Sequence, residues 1–193
     1  MTLMQERHGS AGSTNALLEL VIRGGLVKRF HTRDVIKENT VAQHSFGVAW
    51  FCWMLMGGHP SAALLMHALA HDLPEWVVGD IPAPAKKLPG VGDRIEQLEE
   101  QVVAEAGLKL FPLTDEEQRA LKIADRLEGL LYCAMEARRG NLLRTEYYTY
   151  LCTLVTTPME RRLLNDVVDI YNAAVSRDLN ILGYQRISEV QDV

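Results

Sequence analysis

Residues 40–58 read TVAQHSFGVAWFCWMLMGG, and this stretch decides the fold class. Thr40 with Gln43 three residues later is a capping box ahead of an apolar run, so the pattern predicts a helix from 41 to about 56. The run is apolar nearly all round, which marks a central, buried element. Gly57-Gly58 ends it. The 11 residues from Phe46 to Met56 are too few to cross a bilayer, which needs about 20.

Working outward, the remaining long segments also carry helical rather than alternating periodicity. Upstream, NALLELVIRGG after Thr14 is amphipathic and is interrupted at Gly24-Gly25; LVKRFHTRDVIKEN reads as a loop or frayed turn. Downstream, Pro60 stands where a first-turn proline belongs, ahead of SAALLMHALAHD. Pro74 starts a short helix, PEWVVGD, and IPAPAKKLPGVG reads as a proline-rich loop. DRIEQLEEQVVAEAGLKL is a charged amphipathic helix. Thr114 with Glu117 is a second capping box, opening a helix from Asp115 to about Arg139 that Gly140 can terminate. NLLRTEYYTYLCTLV and TPMERRLLNDVVDIYNAAVSRDLN supply one or two more. The expected fold is an all-α, compact multi-helix globule. A single domain over 1–193 is expected, with its core at about 16–140, C-terminal helices over 141–180 and a polar tail at 181–193.

The chain has 193 residues, of which 48% are apolar, and its 20 Lys and Arg against 25 Asp and Glu leave a net charge of −5. That balance argues against a duplex-binding protein, which would need a basic stripe, so no nucleic-acid polymer is expected as partner. The cysteines Cys52, Cys133 and Cys152 form no CxxC pair, which argues against a disulfide framework or thiolate zinc and for a reducing, cytoplasmic setting. The start MTLMQERHGS has no apolar run and is not a secretory signal, and no membrane span is expected.

All six histidines fall in the first 71 residues. His44 lies in the first turn of the buried helix, and His71-Asp72 closes the next helix just before Pro74. A histidine inside an apolar helix usually needs no more than one hydrogen bond, but an aspartate at an interior junction needs a positive partner, and a metal ion supplies one. Asp125, in mid-helix within LKIADRLEGLLYCAME where propensity disfavours Asp, is the further candidate ligand. Alone it reads as a surface partner of Arg126 or Lys122; beside His44, His71 and Asp72 it reads as a ligand.

The order H…HD…D on three helices resembles the HD-domain metal-dependent phosphohydrolases. In particular it is similar to the branch holding the YfbR-type bacterial 5′-deoxynucleotidases and the small phage deoxynucleotide triphosphohydrolases, among them enzymes acting on dATP. The landmarks are RFHTRDVIKENTVAQHS, HDLPEWVVGDIPAPAK and KIADRLEGL, within roughly Ala16 to Gly140. The run HDxxExxxGDxPxPxK is far more specific than an HD dipeptide. Gln43 and Phe30 stand where the nucleotidases often have Glu and Trp, departures that bear on the pocket rather than the metal. The last 50 residues carry no usable motif.

The resemblance implies one divalent ion (Co, Mn, Ni, Fe, Mg or Zn) held by His44, His71, Asp72 and Asp125. Two imidazoles and two carboxylates suit an open site rather than closed structural zinc, and no histidine follows His71 to build a second site. It implies cleavage of a 2′-deoxyribonucleotide between the α-phosphorus and the 5′-oxygen, as a monophosphatase or as a triphosphohydrolase. Extra cations such as Lys87, Arg33 or Lys122 would favour the latter. Glu75 is the expected general acid/base and Asp80 an assisting carboxylate. Arg29 and Lys86 are expected on the phosphate and Phe30 against the nucleoside. The implied partner is a small-molecule deoxynucleotide, in a homo-oligomer. A catalytically idle nucleotide sensor and a purely structural helical module are the rival readings. His67 lacks a following Glu and reads as packing, GVGD at 90–93 as a turn, and the Tyr147-Tyr148-Tyr150 cluster and the Trp50/Trp53 pair as core or subunit contacts.

Overall fold

The computed structural model describes residues 13–151 and 155–181. The leader, Cys152 and the tail beyond 181 lie outside the described residues. The described chain is all-α apart from one two-residue bridge. α1 (Ser13–Gly25) leads into β1 (Lys28–Arg29), and β2 (Asn39–Thr40) leads into α2 (Val41–Leu55). α3 (Ala62–Ala70), α4 (Glu75–Val78), α5 (Ala83–Lys86) and α6 (Val91–Glu105) follow, then α7 (Asp115–Ala137), α8 (Arg144–Leu151) and α9 (Pro158–Ile181). No helix among the described residues is long and apolar enough to cross a membrane.

Both capping boxes form, Thr40 with Gln43 and Thr114 with Glu117, so α2 and α7 begin where the sequence says. These two helices centre the larger core. Val48, Phe51 and Cys52 of α2 meet Ile123, Leu127 and Leu130 of α7, with Leu163 and Val167 of α9 behind them. A smaller cluster of Leu20, Val41, Ala70, Leu73 and Val102 ties α1 and α6 to the same frame.

Several local expectations are corrected. α1 is not broken at Gly24: it runs on to Gly25, and a Cβ at Gly24 would lie only 2.5 Å from the Leu73 carbonyl oxygen, so the glycine serves close packing. Pro60 precedes the helix, and Ser61 caps it by accepting from the Leu64 N–H at 3.0 Å. The segment expected as a proline-rich loop contains α5. The Pro82 carbonyl accepts from the Ala85 and Lys86 N–H groups, and Pro84 sits in the first turn, where its missing N–H leaves nothing unpaired. Gly92 and Asp93 belong to the first turn of α6 rather than to a separate turn. α2 is not covered all round, since Phe46, Trp50 and Trp53 are 63%, 51% and 44% exposed; the tryptophan pair is not core. Tyr147 does lie in the core, stacked on Tyr171 at 3.5 Å, whereas Tyr148 is exposed. His67 Nε2 donates to the Phe111 carbonyl, 2.9 Å away.

The stretch between α1 and α2 is not a frayed turn. β1 and β2 pair antiparallel, Lys28 with Thr40 and Arg29 with Asn39. The loop between them is pinned by α7. The fully buried Glu136 accepts the Ile36 N–H at 2.7 Å and the Lys37 N–H at 3.0 Å, and the Tyr132 hydroxyl donates to the Lys37 carbonyl at 2.6 Å. A two-strand bridge that short has no period to read, yet it fixes the direction in which Arg29 leaves the backbone.

Candidate metal centre

The start of α2, the α3–α4 junction and the middle of α7 bring His44, His71 and Asp125 together, each offering a donor atom within 4.8 Å of the others. His44 Nε2 lies 3.2 Å from Asp125 Oδ1 and 3.5 Å from Asp72 Oδ2. His71 Nε2 lies 3.4 Å from Asp72 Oδ1. Asp72 therefore touches both imidazoles but stands outside the three-residue cluster, and its Oδ2 also accepts from Arg29 Nη1 at 2.5 Å.

The hydrogen bonds on the far side of each ring set what the near side offers. His71 Nδ1 faces the Ala68 carbonyl at 3.0 Å; a carbonyl can only accept, so Nδ1 carries the proton and the neutral ring keeps a lone pair on Nε2. His44 Nδ1 is bonded to the Glu128 carboxylate, with the same result. Both Nε2 atoms are buried without a hydrogen-bond partner and confront carboxylate oxygens. Lone pairs facing carboxylates repel unless a cation lies between them. Nitrogen and oxygen donors converging on one point fit a divalent ion. In competition with a metal, a proton can occupy the cation's place. Burial opposes charge on His44, but the facing Asp125 and Glu128 carboxylates prevail and raise its pKa to about 9. Burial likewise works against the Asp125 carboxylate, and the facing His44 imidazole pulls it down to about 2.

Glu128 was not legible as a site residue. It lies three residues after Asp125, so both carboxylates occupy one face of α7, and it reaches His44 over Gly47. A Cβ at Gly47 would stand 2.6 Å from Glu128 Cγ. The available signal was paired spacing: His44-x-x-Gly47 on one helix opposite Asp125-x-x-Glu128 on the other.

Glu75 opens α4 and is 3% exposed. Its Oε2 has no partner, and Oε1 lies 3.6 Å from Lys86 Nζ, which is also 3.9 Å from Glu99. Burial, with Asp72 and Asp80 nearby, pushes its pKa up to about 8. Asp80 accepts the Phe30 N–H at 3.3 Å and lies 4.0 Å from His31 Nδ1, so it ties down the 29–31 segment. Phe30 has φ 56°, a left-handed backbone that costs a non-glycine residue roughly 1–3 kcal/mol and is held by this bond. The Phe30 ring stacks on Tyr132 at 4.5 Å and lies 6.3 Å from Tyr150.

A cleft of about 720 Å³ opens over this arrangement. That size is within the range of pockets for drug-sized ligands, roughly 300–1,000 Å³. Arg29, Phe30, Asp72, Glu75, Asp80, Lys86 and Asp125 all line it, while His44 and His71 do not. α8, from the segment that carried no motif, closes one wall with Thr145, Glu146, Thr149 and Tyr150. Burial holds the Tyr150 hydroxyl pKa up at about 12, keeping it a neutral donor. Of the extra cations the sequence offers, Lys87 and Arg33 line the cleft and Lys122 does not; Arg126 lines it as well.

Comparison with known proteins fits this geometry. The family model described as HD domain matches residues 26–141. A dATP triphosphohydrolase of cyanophage S-2L is 24% identical over 154 residues, covering 77% of this chain and 84% of the relative. A dATP triphosphohydrolase of Salmonella phage PMBT28 is 28% identical over 143 residues, covering 66% and 71%. Among solved structures, the cyanophage S-2L HD phosphohydrolase DatZ, bound to dA and one catalytic Zn²⁺ ion, superposes with a TM-score of 0.54 at 21% identity, over 87% of this chain and 99% of that one.

Proposed function

The chain belongs to the HD domain family, and on that premise we propose that it hydrolyses a 2′-deoxynucleoside triphosphate, dATP first among them, to the deoxynucleoside and triphosphate. The observation that carries the reading is the cluster of His44, His71 and Asp125 under a cleft that also presents Asp72, Arg29 and the buried Glu75. The names of the two phage relatives support the triphosphate and the adenine base.

His44, His71 and Asp125 would hold the ion, with Asp72 completing the set. When bound, a divalent metal supplies neutralisation of phosphoryl oxygens and a lowered pKa for water. The protein's own groups do the rest. Arg29, fixed by its 2.5 Å bond to Asp72, is pre-aimed at an α-phosphoryl oxygen. Water oxygen bonds to the α-phosphorus and gives up a proton as the bond from phosphorus to the 5′-oxygen breaks, and that oxygen takes up a proton to leave. Glu75, neutral at pH 7 because it is buried, is the group to give it. Asp80 acts by holding the Phe30 backbone, and Phe30 offers its ring to the nucleoside. Lys86 lies 3.6 Å from Glu75 and lines the cleft, placed to meet the phosphate side of the substrate.

Zn²⁺, the ion named for DatZ, is a suitable first choice; Mn, Co, Ni, Fe and Mg share the same donor chemistry. The reading includes a cytoplasmic location, supported by free Cys52 and Cys133, and a homo-oligomer, supported by the exposed Phe46, Trp50 and Trp53 edge. A product screen over dNTPs and dNMPs tests the reading. Deoxynucleoside with intact triphosphate from dATP is expected, and orthophosphate from dAMP alone would replace it with a 5′-deoxynucleotidase.

A further inference from the structure

Five Lys and Arg side chains line the cleft, and they divide into two kinds. Three lie beside acidic side chains: Arg29 on Asp72 at 2.5 Å, Lys86 between Glu75 at 3.6 Å and Glu99 at 3.9 Å, and Arg33 on Glu146. The other two, Lys87 and Arg126, are exposed, and no carboxylate among the described residues pairs with either. Each is the chain neighbour of a group deeper in the cleft. Lys87 follows Lys86 at the end of α5, and Arg126 follows Asp125 on α7. Successive helical residues diverge by roughly 100°, so Arg126 leaves the helix in a different direction from the candidate ligand beside it. A cation that both lines a cleft and stays exposed stands at its mouth.

A nucleotide with its α-phosphoryl group at Arg29 and the histidine–aspartate cluster has a polyphosphate tail that must be accommodated beyond that floor. Arg29, Lys86 and the exposed Arg33 already have acidic partners, while Lys87 and Arg126 have none among the described residues. We propose that Lys87 and Arg126 form a polyphosphate-tail subsite at the cleft mouth, taking the β- and γ-phosphoryl groups of a nucleoside triphosphate. The proposal rests on the triphosphate reading above and deepens it, because it names the residues that separate a triphosphate from a monophosphate. Lysine supplies a movable point charge and arginine a planar fork, a combination suited to a chain of phosphates whose torsions vary.

The test is calorimetric titration of the metal-loaded protein, in excess magnesium, with inorganic tripolyphosphate and separately with orthophosphate. Lys87→Gln, Arg126→Gln and the double variant are compared with Lys109→Gln, an exposed lysine outside the cleft that removes the same charge. Each cleft substitution is expected to weaken tripolyphosphate binding about tenfold, as for loss of one charge-assisted hydrogen bond. The ratio of tripolyphosphate to orthophosphate affinity should collapse in the double variant and stay at the wild-type value in Lys109→Gln. A double variant that keeps tripolyphosphate affinity within twofold overturns the subsite, as does a wild-type protein that binds tripolyphosphate no tighter than orthophosphate. A wild-type protein that binds tripolyphosphate through these residues yet leaves dATP uncut overturns the enzymatic reading while upholding the subsite.

Discussion

Gly47→Ala separates the role of a buried carboxylate from the stability of the helix that carries it. In an ordinary helix interior the change is favourable by about 1 kcal/mol, because alanine has the better propensity. Here the new Cβ would lie 2.6 Å from Glu128 Cγ, against a normal carbon–carbon separation of about 3.5–4.0 Å. Glu128 must retreat by about 1 Å, and its bond to His44 Nδ1 is what sets that ring's tautomer and aim. Losing the partner that orients a ligating imidazole typically lowers metal affinity about 10–100-fold. Overpacking costs about 1–3 kcal/mol, so after the helix gain the net loss of stability should be at most about 2 kcal/mol. The expected signature is a folded protein with a modestly altered Tm and metal affinity down by one to two decades in a chelator-competition titration. The same substitution in a Glu128→Ala background should have no further effect on affinity. Wild-type metal affinity in the single variant would refute the assignment of Glu128.

The other perturbations act on the proton, the acid and the loop. Below about pH 9 the metal must displace a proton from His44, so apparent metal affinity should rise about tenfold per pH unit and level off above 9; a pH-independent Kd between 6 and 9 contradicts the site. Glu75→Gln should keep the ion and lose roughly 10²–10⁴ in turnover; an accompanying loss of metal would make Glu75 a ligand instead. Because the folded chain holds the Glu75 proton up to about pH 8 while the unfolded chain releases it near 4.5, the metal-free wild type should lose stability as pH rises between those values. The Gln variant should lack the Glu75 share of that decline, most plainly between about pH 4.5 and 6.5, below the range where the raised His44 pKa adds its own; parallel curves there in denaturant titrations would contradict the buried, protonated Glu75. Glu136→Gln replaces one of two oxygens that accept the Ile36 and Lys37 N–H groups with a donor; a loss of about 1–3 kcal/mol and a raised KM are expected, and an unchanged KM would uncouple that loop from the cleft.

What the sequence made legible and what it hid divide along physical lines. His44, His71, Asp72 and Asp125 could be singled out because their side chains are costly in apolar helices and demand a reason. The helices around them were legible because capping boxes and apolar faces are local signals. Glu128 and Glu136 looked like ordinary helix carboxylates: their importance lies in what they reach across the fold, His44 in one case and two backbone N–H groups in the other. α5 was hidden by Pro82 and Pro84, which read as breakers but sit at and before a first turn. α8 carried no motif because a cleft wall needs shape rather than a signature, and only its packing against α7 shows that Thr149 and Tyr150 face the site.

The most direct test of the central claim is hydrolysis of dATP by the metal-loaded protein in ¹⁸O-labelled water, with the products separated and weighed by mass spectrometry. Attack at the α-phosphorus predicts one ¹⁸O in triphosphate, none in deoxyadenosine, and no turnover after the metal is chelated. Label in deoxyadenosine, or orthophosphate in place of triphosphate as the first product, would contradict it.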